Sequence, residues 1–199
     1  MKQLHLRLII PLLTALLLSA CIAGNTGGMP TGDTASQTPT AMAGMDHSGM
    51  QMDNTDQPFD LLFIDGMIMH HQGAIEMAQE AQTQATKPEI KDLAGAIIVA
   101  QEAEITQMQT WRQTWYPDAA PTEGLGMDMG TMAVAEGDEL YDLRFIAAMI
   151  PHHEGAIAMA KEAETMAEHV ELKAMAENII TAQEAEIAQM KDWQTAWSE

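Results

Sequence analysis

The segment Met67-Ile68-Met69-His70-His71-Gln72-Gly73-Ala74-Ile75-Glu76-Met77-Ala78 returns as Met149-Ile150-Pro151-His152-His153-Glu154-Gly155-Ala156-Ile157-Ala158-Met159-Ala160, at an offset of 82 (149 − 67). Phe63 pairs with Phe145 and Trp115 with Trp197 at the same offset, with no gap between, and more than half of the positions in windows 60–115 and 142–197 are identical. The chain is an internal duplication, so its fold must be built twice from one unit.

That unit is helical. At 100° per residue, Ile64, Met67, His71, Ile75 and Ala78 fall on one stripe, with Phe63 and Ala74 beside it and Gln72, Glu76, Gln79 and Glu80 opposite. A second stripe runs through Ile90, Leu93, Ile97, Gln101, Glu104, Met108, Trp111 and Trp115. Thr86-Lys87-Pro88-Glu89 reads as the turn between them, proline opening the new helix. In the second copy, Ala167 to Glu171 is placed as the break by analogy with the first. Asp56 and Asp138 are the expected N-caps of the two leading helices. A helical hairpin cannot bury both stripes alone, and two hairpins supply an all-α, antiparallel, ferritin-like four-helix bundle.

The rest of the chain frames this core. Residues 1–20 carry Lys2 and Arg7 ahead of an apolar run and read as an export signal. Residues 21–57 are rich in Gly, Thr, Pro and Ser and read as a flexible tether. The bundle occupies 58–199, with repeat 1 at 58–116, a linker at 117–137 and repeat 2 at 138–199. Small residues before Cys21, the only cysteine, resemble the lipobox of bacterial lipoproteins, in which that cysteine is lipidated; the alternative is an ordinary signal peptide with an incidental cysteine. Either way disulfides are excluded, and the protein is expected outside the cytoplasm, in the bacterial envelope, periplasmic or outward-facing. The net charge of −20 argues against nucleic acid and favours cations.

The chemistry concentrates where imidazole and thioether meet. If the first turn centres near Lys87, His70 and Glu104 sit at one height, Met67 and Met108 one turn along, and His152 and Glu186 match them in the second copy. Gln101 and Glu104 are costly to bury without a partner, which His71 or a metal would supply. The candidate ligands are Met67, His70, His71, Met77, Glu104 and Met108, with Met149, His152, His153, Met159, Glu186 and Met190 in repeat 2. Nitrogen and sulfur together suit copper, the cuprous ion above the cupric. His71 lies nearer the centre of its stripe than His70 and is expected to matter more. Taken singly, each methionine is better explained as core packing. Gly73 and Gly155 imply close approach of a neighbouring helix, and Pro151 should bend or loosen α-helix just before the second histidine pair. In the tether, Met45, His47 and Met50 offer a second, mobile set; the linker run Gly126 to Met132 has thioethers without histidine.

The Met-Ile-x-His-His-x-Gly-Ala-Ile-x-Met-Ala motif, followed by Gln-x-x-Glu-Ile-x-x-Met-x-x-Trp, resembles an exported domain-of-unknown-function family with ferritin-like bundles, over roughly residues 58 to 199. Members similar to this chain include periplasmic proteins that bind cuprous and silver ions and support copper resistance. The resemblance implies copper handling with His70, His71, Met67, His152, His153 and Met149 at matching positions, by sequestration, tolerance or transfer to a partner protein. The rivals are a ferritin-like di-metal oxidase and a metal-free structural lipoprotein. The first needs Glu-x-x-His, which the chain lacks; the second leaves the histidine pairs without a shared reason. No catalytic arrangement stands out, and no enzyme activity is expected.

Overall fold

The computed structural model describes residues 56–197. Cys21 and the tether residues Met45, His47 and Met50 lie outside them. Four helices follow in order: α1, Phe59–Gln84; α2, Pro88–Trp115; α3, Tyr141–Met166; α4, Val170–Trp197. The duplication is kept in their lengths, 26 residues for α1 and α3 and 28 for α2 and α4. None is long and apolar enough to cross a membrane.

In each hairpin α1 packs along α2 and α3 along α4, and the hairpins meet chiefly through α1 and α3. Pro88 opens α2 as expected, because its missing N–H is one that a helix start leaves unpaired. Asp56 and Asp138 do not cap. The residues ahead of α1 and α3 are Pro58 and Leu140, and neither start has a side-chain cap. The acids that matter are Asp60 and Asp142, in the first turn of α1 and α3, and each serves the opposite hairpin. Asp142 accepts from the backbone N–H of Thr86 and of Lys87, and from the Thr86 hydroxyl, at the start of α2. Asp60 accepts from the N–H of Glu168 and of His169, and pairs with the His169 ring at 2.6 Å, at the start of α4. A carboxylate at a helix N-terminus meets both its free N–H groups and its dipole.

The core is apolar and methionine-rich. One cluster joins Met149 and Met190 of repeat 2 to Met77 of repeat 1, and the other joins Met67 and Met108 to Met159. All six are at most 2 % exposed, and each such burial stabilises by roughly 1.5–3 kcal/mol.

The linker is pinned where the repeats differ. Asp65 and Arg112, replaced by Ala147 and Gln194 in repeat 2, form an ion pair. Arg112 also donates to the Ala119 and Ala120 carbonyls, while Asp65 accepts from Thr122 N–H. Gly124, at φ +77°, then lies against Gly66, a contact that a side chain on Gly124 would block and one on Gly66 would crowd. Arg144 holds the far end through the Ala135 and Glu139 carbonyls.

Candidate metal centre

His70, His71, His152 and His153 are all fully buried. Adjacent helix positions point about 100° apart, so each pair splits between two interfaces. His71 turns towards α2, where its Nε2 lies 2.6 Å from Glu104 Oε2; His153 meets Glu186 across α3 and α4 at the same distance. Thus His71, not His70, sits level with Glu104. The carboxylates keep about a quarter of their side chains exposed, 25 % and 22 %.

His70 and His152 turn towards each other across α1 and α3, their ring centroids 3.8 Å apart. This corrects the ranking that placed His70 at the stripe's edge: α1 buries one face on α2 and another on α3, so its apolar arc is wider than a single stripe. Burial, then the neighbouring His152, His71 and His153, lowers His70 to about 2, the Met129 carbonyl pulling weakly the other way. Burial likewise lowers His152 to about 4 against a hydrogen bond to Thr131. Both rings are therefore neutral at neutral pH, with lone pairs available. Neither nitrogen of His70 makes a well-formed hydrogen bond, the nearby Met129 carbonyl included, and Nδ1 of His71 and of His153 has no partner.

Gly73 and Gly155 do admit a close neighbour, but it is the linker and the opposite histidine, not a helix backbone. A Cβ on Gly73 would collide with the Met132 methyl, and one on Gly155 would lie 3.0 Å from the Met129 carbonyl and 3.2 Å from His70 Nε2. Helix α3 runs unbroken through Pro151. The linker passes over it, Gly130 lying against the Pro151 carbonyl.

Met67, Met108 and Met159 gather in one core cluster and Met77, Met149 and Met190 in the other. Gln101 and Gln183 are 3 % and 4 % exposed, each with an unpartnered side-chain oxygen. With Glu104, Glu186, Ile97 and Ile179 they line a cavity of about 20 Å³ between α2 and α4, room for one water. Among the described residues no three His, Cys, Asp or Glu side chains converge as a ready-made cage.

Sequence reasoning missed Asp60 and Asp142, although both stand at the duplication offset, and the Asp65–Arg112 pair, whose signal was its presence in one repeat alone. It also undervalued the linker methionines, because nothing in the chain order places them beside His70 and His152.

Comparison with solved structures finds CopM in its Cu(I)-bound form, 43 % identical over 72 % of this chain and 100 % of that chain, with a TM-score of 0.62. CopM in a silver-bound form is 40 % identical over 72 % and 100 %, TM-score 0.62; in its Cu(II)-bound form it is 41 % identical over 69 % and 98 %, TM-score 0.60. A secreted protein from Streptomyces coelicolor is 25 % identical over 68 % and 91 %, TM-score 0.57. Comparison with curated proteins gives no significant match. The family described as Domain of unknown function (DUF305) matches residues 18–112 and 60–194, two matches that overlap on repeat 1, the second running across both repeats. The chain belongs to the DUF305 family.

Proposed function

We propose that this chain is a copper-binding protein of the bacterial cell envelope, anchored through lipid on Cys21, that holds cuprous ion, and silver by the same soft chemistry, in its helical bundle. The observation that carries the reading is the buried histidine set. His70 has two fully buried ring nitrogens and no hydrogen-bond partner, an arrangement that costs about 1–3 kcal/mol per unmet group unless something else binds there. A metal ion is such a partner. The similarity to CopM, solved with Cu(I), Cu(II) and silver, supports copper, and the buried thioethers favour the cuprous state.

The protein binds and does not catalyse. Its role is to sequester copper, conferring tolerance, or to pass it to a partner protein. The net charge of −20 raises the local cation concentration, and the donor set selects among the cations.

Competition of the purified protein against a cuprous chelator, with zinc, ferrous and cupric ions as controls, tests the reading. Cuprous ion should be held most tightly, and His71→Ala combined with His153→Ala should weaken it at least tenfold with the helices intact. A wild-type protein that takes no cuprous ion would return the histidines to a structural role.

A further inference from the structure

We infer that the linker is a gate: its residues 126–132 form a strap over His70 and His152, latched by Arg112 at one end and Arg144 at the other, which must lift before a cation can pass. The inference rests on the copper-binding reading and concerns how the ion enters and leaves, not what holds it.

The strap touches both rings. The position that a Cβ on Gly155 would take is 3.0 Å from the Met129 carbonyl oxygen and 3.2 Å from His70 Nε2. The Thr131 carbonyl lies 2.8 Å from His152 Nδ1 and accepts from it. At Gly73 the corresponding point is 3.3 Å from Met132 Sδ and 3.4 Å from His152 Cε1, and Gly130 crosses the Pro151 carbonyl. Both rings are wholly buried, and the linker is the part of their enclosure that is not helix.

The strap is held firmly at its ends and lightly between them. Arg112 pairs with Asp65 and donates to the Ala119 and Ala120 carbonyls, and Asp65 accepts from Thr122 N–H. Arg144 donates to the Ala135 and Glu139 carbonyls. Between these anchors Leu125, Met127 and Val134 are only partly buried against the core clusters, and Met132 is 40 % exposed. Gly126, at φ +67° with open space where a Cβ would lie, gives the span a pivot in its backbone and not in its packing. A segment with few buried contacts and no helical ladder opens at lower cost than the helices beneath it.

The latch also stands apart from the duplication. Asp65 and Arg112 have Ala147 and Gln194 at the matching positions of repeat 2, so the ion pair occurs only where the strap begins. His71 and His153 face Glu104 and Glu186 within their own hairpins, not the strap, and so report on the bundle separately.

The test uses the full, metal-free chain and diethyl pyrocarbonate, which acylates neutral imidazole nitrogen, with peptide mass spectrometry reading each histidine. His70 and His152 should react about tenfold faster in Arg112→Gln and in Arg144→Gln than in wild type, with His71 and His153 unchanged. Uptake of cuprous ion from a chelator and its release should both quicken by similar factors, so that affinity moves less than either rate. Lys161→Gln, which removes an exposed charge paired with Glu184, should alter neither. Unchanged modification of His70 and His152 in both arginine variants, a rise shared equally by His71 and His153, or faster modification without faster ion exchange overturns the gate and leaves copper binding standing. A wild type that takes up no cuprous ion overturns the copper-binding reading and the gate with it, whatever the modification rates.

Discussion

Asp142, in the first turn of α3, accepts a hydrogen bond of 2.8 Å from the backbone N–H of Lys87 in the other hairpin. The turn of repeat 1 is thus completed by repeat 2, and Asp60 returns the arrangement at His169. Because Asp142 is buried and two of its partners are backbone groups, Asp142→Ala leaves N–H groups of Thr86 and Lys87 unmet. It should destabilise the bundle by about 1–3 kcal/mol, read from the urea midpoint. An unchanged midpoint would mean that water replaces the carboxylate without loss.

The same carboxylate sets an acid limit. Burial alone would raise its pKa, but the hydrogen bonds from Lys87 and Thr86 reverse that and hold it below its ordinary value of 3.8. A lowered folded-state pKa contributes stability that is fully present above the unfolded value and is lost as pH falls through the folded one. The stability difference between wild type and Asp142→Asn should be constant above about pH 5 and shrink below about pH 4. Denaturant titrations at several pH values check this; a difference that grows with acidity would contradict it.

His70→Leu replaces a buried ring with an apolar side chain of similar size and deletes two unpaired nitrogens. Metal-free protein should gain about 1 kcal/mol of stability, while thermal stabilisation by added cuprous ion, which follows the affinity of the native state, should diminish. Calorimetry with and without copper separates the two effects.

Arg112→Ala should free the first half of the linker, because Arg112 holds Asp65 and two linker carbonyls at once. Limited proteolysis between residues 116 and 140 should accelerate. Global stability should fall by no more than about 1–3 kcal/mol, since the pair lies at the margin of the core. Equal cleavage rates in wild type and variant would show that the loop is held elsewhere.

Much of this architecture is legible in the sequence because helical periodicity and duplication act locally and repeat. The stripe through Ile64, Met67 and His71, the turn at Pro88 and the pairing of Glu104 with a histidine all follow from spacing alone. What spacing does not carry is which face meets the other hairpin. That left His70 at an apparent edge, although α3 covers it completely. It also hid Asp60 and Asp142, since a residue in the first turn of one helix has no local reason to cap a turn more than 50 positions away in one case and 100 in the other. The linker methionines escaped for a related reason: Gly66, Gly73 and Gly155 permit the approach, but the Asp65–Arg112 clamp decides where the chain runs.

The reciprocal aspartates say something about origin as well as stability. Each repeat carries both the acid and the turn that such an acid completes: Asp60 with Thr86 and Lys87 in one, Asp142 with Glu168 and His169 in the other. A single repeat is therefore self-complementary, and two copies of it can form the same joint twice about a twofold axis. Fusing them through a linker turns an association governed by protein concentration into one governed by tether length. Asp65 and Arg112, present in one copy alone, take up the start of the intervening chain, so that the two hairpins, alike in their joints, differ in the face that carries it.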